Sequence, residues 1–141
     1  MSFKRKYLFL VLILIVFVAM IYAFYEYNRK PADLSSIRSF AVVDADSLVQ
    51  LYEKDEGKAN GVYLGKPIDV TGTISEINNQ QDSSVNVMLG NRDPLHRVSC
   101  LLDAKHVDAI KQFKVGDRIT VRGICTGYLM DVELNRCVII R

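Results

Sequence analysis

The 141 residues contain no tryptophan, three prolines, two histidines and three cysteines, Cys100, Cys125 and Cys137, all in the last third of the chain. No C-x-x-C pair occurs, which argues against a thiol-exchange centre. G-x-S-x-G, a glycine-rich phosphate loop and a histidine beside a nucleophile are equally missing, so no catalytic set, no metal site and no cofactor site is expected. Clustered positive charge is scarce beyond the N-terminus. Residues 31–141 hold 13 Lys and Arg against 15 Asp and Glu, and the basic surplus sits at Lys4, Arg5, Lys6, Arg29 and Lys30. A surface that tracks phosphates needs the opposite arrangement.

What is present begins with an uncharged apolar run from Tyr7 to Tyr25. As a helix it rises about 28 Å, close to the roughly 30 Å hydrocarbon core of a bilayer. Tyr7, Tyr22, Tyr25 and Tyr27 lie near its ends, where amphipathic rings favour headgroups. A cleaved signal peptide shares this pattern, but bulky Phe17 and Ile21 precede Ala19 and Ala23 where a cleavage site wants small residues. No cysteine precedes Cys100, which speaks against a lipid-modified N-terminal cysteine. The expectation is an uncleaved signal anchor, with a basic cytoplasmic N-terminus (1–6), a single transmembrane pass (7–27), a juxtamembrane linker (28–43) and one domain outside the cytoplasm (44–141), periplasmic in a Gram-negative cell. Ala19 and Ala23 form a small-xxx-small pair that would allow helix association in the membrane.

The domain opens with helical patterning. Ser47 and Gln50 form an S-x-x-Q capping box, and Leu48, Leu51, Tyr52, Ala59 and Tyr63 return to one face of a helix reaching about Tyr63. Gly65 suits its C-cap, and Pro67 cannot continue it. The period then changes to two. IDVTGTISEI places Ile68, Val70, Gly72, Ile74 and Glu76 on one face of a first strand, with Gly72 at a bend. SVNVML and RVSCLL are the second and third strands, and Asp103 to Phe113 is a short helix. RITVRGIC and DVELNRCVII are the fourth and fifth. The order β-β-β-α-β-β with an added N-terminal helix predicts a mainly β fold, a five-stranded OB-fold Greek-key barrel preceded by one transmembrane helix.

Two stretches, DEGKANGVYLGKPIDVTGTISEI and KVGDRITVRGICTGYLMDVELNRCVI, resemble the tRNA-anticodon-like OB-fold family of bacterial exported or membrane-anchored proteins. The resemblance spans roughly Ser47 to Ile140. It rests on Asp55-Glu56, Ala59-Asn60, Tyr63, Gly65-Lys66, Gly116-Asp117, Gly123, Cys125, Gly127, Leu134 and Cys137. It implies a fold; the family has no general established activity, so no catalytic residue is carried over.

The cysteines are the chemically suggestive feature. In an oxidising compartment two of them can pair, leaving one over. Cys137 has the opposite parity to Val132, Leu134, Val138 and Ile140, so placing it opposite Cys125 requires a bulge near Asn135-Arg136 or a longer loop. Cys100 with Cys137 is the competing pair, since the third and fifth strands of an OB barrel are neighbours, and three buried thiols in an ordinary core are the plainer alternative. His96, Cys100, Asp103 and His106 match no standard zinc spacing. Asp55 and Glu56 adjoin on a helix and point apart, so they do not form an acid–base pair, and Asp55 is read as bonding barrel-edge backbone groups or a lysine such as Lys66 or Lys58.

Nucleic-acid-binding OB folds use aromatic platforms on strands two and three within a basic groove. Neither Ser84–Leu89 nor Arg97–Leu102 contains an aromatic residue. Arg92, Arg97, Arg118, Arg122 and Tyr128 are the candidate ligand wall, but they lie in an acidic domain, so nucleic acid is the runner-up ligand and not the expected one. The expectation is a non-catalytic binding or adaptor module taking a protein, peptide or envelope glycan on that wall or in the loops Asn78–Ser84, Gly90–Leu95 and Gly127–Met130.

Overall fold

The computed structural model describes residues 3–28, 33–79, 84–91 and 95–140. The chain divides into two units, Met1–Ala32 and Asp33–Arg141. In the first, helix α1 (Phe3–Tyr27) forms because no proline or glycine interrupts the run. Its stretch Tyr7–Tyr27 is long and apolar enough to cross a membrane.

The second unit begins earlier than the sequence suggests. Asp33 caps a 3-10 turn, Leu34–Ser36, by accepting the Ser35 N–H at 2.9 Å, and Leu34 is buried. Strand β1 (Ala41–Asp44) then pairs in parallel with β2 (Pro67–Asn79). From Asp33 onward the expected linker 28–43 is therefore part of the domain. Four residues show too little alternation to announce a strand, and a parallel partner more than twenty positions away leaves no local signal.

Helix α2 (Ala45–Lys54) starts at Asp44, whose carboxylate accepts the Asp46 N–H at 3.2 Å, so Ser47 lies inside the helix and does not cap it. The single helix expected to Tyr63 is two. Asp55 leaves helical geometry (φ −161°, ψ 88°) and caps α3 (Glu56–Tyr63) by accepting the Lys58 N–H at 2.9 Å. An aspartate that bonds local backbone competes with helix continuation, which is the physical reason for the break.

Strands β3 (Val85–Leu89), β4 (Val98–Leu102), β5 (Arg118–Tyr128) and β6 (Val132–Ile139) complete the set. The barrel runs β2-β3-β4-β6-β5 and closes through β5 pairing with β2. Within it only β4 and β6 are parallel. This is the expected OB-fold Greek key, with β1 added beside β2. The segment between β4 and β5 is a 3-10 helix, Val107–Gln112, that buries Ile110; Asp103 bonds the Lys105 N–H in the preceding turn.

Ile68, Val70, Ile74, Val87, Leu89, Val98, Ile119, Val121, Val132 and Leu134 fill the interior. Helix α2 adds Ala45, Leu48, Val49 and Tyr52 to the same core, and complete burial of a side chain such as Leu48 stabilises the fold by roughly 1.5–3 kcal/mol. Gly72 makes that seat available, since a Cβ there would lie 2.8 Å from the Ala45 Cβ. A bulge in β2 between Ile74 and Glu76 shifts the alternation, so Ile77, not Glu76, packs toward the core.

Candidate functional site

All three cysteines are free thiols with no exposed surface. A bulge near Asn135-Arg136 is present. Arg136 takes a left-handed conformation (φ 56°), the β5–β6 register slips between Arg122 and Ile124, and both Cys137 and Val138 are buried. It does not bring Cys137 opposite Cys125. Cys125 faces Leu134 across the ladder, and its Sγ lies 3.1 Å from the Tyr52 hydroxyl. Cys137 sits over Gly123, where a Cβ would come within 2.6 Å of its Sγ, and its thiol donates to the Leu134 carbonyl at 3.3 Å. Burial pushes the Cys137 thiol well above the usual cysteine range, and the hydrogen-bonding Cys100 thiol beside it adds to the rise. Burial likewise raises Tyr52, with Cys125 as a further cause.

The described arginines of the expected wall, Arg97, Arg118 and Arg122, are each engaged with a carboxylate. Arg97 meets Glu76 at 3.1 Å, and Arg118 meets Asp44 at 2.9 Å. Arg122 grips Asp69 through two hydrogen bonds, 2.6 and 2.9 Å, and also donates to the carbonyls of Leu34 and Ile37. Their charge is thus compensated where they stand, and Arg122 serves to hold the Leu34–Ile37 segment against the barrel. Arg92 lies outside the described residues, as do 80–83 and 92–94 of two of the three expected docking loops. His96 pairs with Glu53 at 3.3 Å and His106 with Asp33 at 3.1 Å, so neither joins Cys100. Among the described residues no three His, Cys, Asp or Glu side chains gather as a metal site.

Tyr128 takes a different part. Its ring stacks on Tyr52 of α2, with centroids 5.6 Å apart. It begins the turn Leu129-Met130-Asp131 between β5 and β6, the counterpart of the loop that OB folds use for ligands. This turn is tied to the segment before β4, for Asp131 accepts the Arg97 N–H at 2.7 Å and Val132 donates to the Arg97 carbonyl at 2.9 Å. Leu64, at the end of α3, lies over Gly127. On these segments Leu64, Leu95, Leu129 and Met130 are 48, 66, 82 and 68 % exposed. Polar pairs flank them, Arg97 with Asp131 and His96 with Glu53. Leu95 falls within the expected loop Gly90–Leu95 and Leu129 and Met130 within Gly127–Met130, whereas Leu64 was hidden in a helix terminus. Two large apolar residues in a strand-to-strand turn are the sequence signal for such a surface, since turns ordinarily hold polar residues.

A family model for tRNA_anti-like proteins matches residues 1–139. The chain belongs to the tRNA_anti-like family. No curated protein matches the sequence. Among solved structures, this tRNA_anti-like chain is similar to a proposed nucleic acid-binding lipoprotein from Klebsiella pneumoniae subsp. pneumoniae MGH 78578, with 18 % identity and a TM-score of 0.58 over 79 % of this chain and 100 % of the other. An asparaginyl-tRNA synthetase from Entamoeba histolytica aligns at 15 % identity and a TM-score of 0.42, over 54 % of this chain and 21 % of the synthetase. At these identities the likeness is one of fold.

The motif residues from Asp55 to Lys66 have structural tasks in this tRNA_anti-like domain. Asp55 caps α3, and Ala59 is buried. Gly65, at φ 74°, donates its N–H to the Cys125 carbonyl at 2.7 Å. Lys66 donates to the Val62 carbonyl and lies 4.0 Å over the Phe40 ring. Together they fasten α3 to the start of β2 and the end of β5.

Proposed function

We propose that this chain is a non-catalytic binding module, anchored by α1 in a single pass with its N-terminus in the cytoplasm and its OB-fold domain outside, and that it docks a protein or peptide partner on the pole formed by Leu64, Leu95, Leu129 and Met130. The observation that supports this reading best is the exposure of these four side chains on connected loops. An apolar surface rimmed by polar pairs is the usual mark of a docking site. Aliphatic side chains suit a polypeptide better than an envelope glycan. A photo-crosslinking residue at Met130, with one at Val115 as control, tests the reading in intact membranes. The expected result is one recurrent protein adduct from position 130 and none from 115. Adducts from neither position would overturn it. A protease-protected C-terminal tag in right-side-out vesicles would overturn the topology.

The second reading is a single-stranded nucleic acid ligand. It is favoured by the Klebsiella lipoprotein, which shares the fold and is described as nucleic acid-binding. That neighbour weighs against treating nucleic acid as unlikely on charge and missing aromatics alone. A salt series with short single strands separates the two, because phosphate contacts weaken steeply as salt rises.

A further inference from the structure

We propose that the groove between α2 and α3 receives the C-terminal residue of a partner polypeptide, with its aliphatic side chain against Leu51 and Val62 and its free carboxylate at Lys54 and Lys58. The groove shares no residue with the docking surface proposed above. It requires neither that surface nor the exported topology.

In a continuous helix Leu51, Lys54, Asp55, Lys58 and Val62 would form one convex stripe, since they recur at three- and four-residue steps. The backbone of Asp55 (φ −161°, ψ 88°) breaks that stripe. The two helices instead bound a cavity of about 230 Å³, lined by those five residues together with Ala59 and Tyr63. Ala59 is buried and Tyr63 packs on the barrel core, so one side of the cavity is anchored to the fold. Lys66 donates to the Val62 carbonyl and holds the last turn of α3. Leu51 and Val62 remain exposed, which keeps the groove open to solvent.

The lining is apolar with a surplus of positive charge. Lys54 and Lys58 set two ammonium groups against one carboxylate, Asp55, which is already engaged with the Lys58 N–H as the cap of α3. Neither ammonium group has an ion-pair partner among the described residues. This local surplus stands within a segment, 31–141, that is acidic overall. A ligand with one anionic end and one apolar end complements both parts of the lining. An apolar cavity of roughly 150 Å³ holds one benzene molecule. By proportion 230 Å³ takes about nine non-hydrogen atoms, the size of a C-terminal leucine with its carboxylate. Capture of a terminal carboxylate is a recurring mode of peptide recognition, and an open groove lets the preceding chain leave into solvent.

The test titrates a fluorescein-labelled glycine–serine peptide ending in leucine against the full-length protein in detergent micelles, read by fluorescence anisotropy. The expected result is saturable binding that C-terminal amidation weakens about five-fold or more, with an equal loss for Lys54→Gln combined with Lys58→Gln. Both lysines are exposed, so the circular dichroism of that variant should match the parent. Lys105→Gln combined with Lys114→Gln removes the same charge at other exposed positions and should leave binding unchanged. No saturation by about 1 mM peptide, or equal affinity for the amidated peptide, overturns the proposal. Displacement by hexanoate at the peptide's own Kd would make a free acid the occupant and overturn the polypeptide. Binding that survives in the Lys54 and Lys58 variant but is lost with Leu129→Asp would assign the peptide to the other surface and overturn this one.

Discussion

Replacing Gly123 by alanine would drive a methyl group to 2.6 Å from the Cys137 Sγ and 3.0 Å from the Leu134 Cβ. Ordinary contact is roughly 3.5–4.0 Å, so the overlap with sulfur is about 1 Å. Neither neighbour has room to retreat, since Cys137 is fully buried and the Leu134 Cβ is fixed by the β5–β6 ladder. Overpacking of this kind costs about 1–3 kcal/mol, and the crowding on two sides places it near the upper end. The alanine recovers up to about 1 kcal/mol by reducing the freedom of the unfolded chain, leaving a net loss of about 2 kcal/mol. Urea titration of the full chain in micelles, followed by circular dichroism under reducing conditions, measures it. Adding Cys137→Ala removes the sulfur, and the double variant is expected to be more stable than the sum of the single effects by at least about 1 kcal/mol. A neutral Gly123→Ala, or strict additivity, would refute the inference that this glycine exists to admit the Cys137 thiol.

Arg122→Ala strands the Asp69 carboxylate, 10 % exposed, together with two backbone carbonyls; breaking such a buried pair costs about 3–5 kcal/mol, read from the urea midpoint. The Ser35 backbone and hydroxyl and then His106 hold the Asp33 carboxyl down at about 2. A depressed carboxyl contributes its stabilisation above its unfolded value of about 3.9 and loses it as pH falls toward 2. Amide exchange at Ser35–Ile37 should accelerate relative to Asp33→Asn across that window, and an unchanged ratio would discount the cap. Leu129→Asp should abolish crosslinking from position 130 while shifting stability by no more than about 0.5 kcal/mol; a large stability loss would show that this side chain serves the core instead.

The five barrel strands and their order were legible because each is long enough to alternate and is bounded by glycine, proline or polar turns. IDVTGTISEI announced its inward residues as far as Ile74, and α1 was legible from length and absence of charge. The arginines were visible as residues but not as partners. That Arg122 would meet Asp69 depends on β2 pairing with β5, and that Arg97 would meet Glu76 depends on β2 and β4 flanking β3 from either side. Of the exposed apolar side chains, Leu95, Leu129 and Met130 lay in loops the sequence singled out, whereas Leu64 was missed because it closes a helix.

By itself the sequence determined the apolar helix and the barrel, since these follow from periodicity and run length. Tertiary structure decided the added strand β1, the break at Asp55 and the carboxylate partners of the arginines. Each of those depends on which distant residues share a ladder or compete for a backbone group, and spacing along the chain does not encode that.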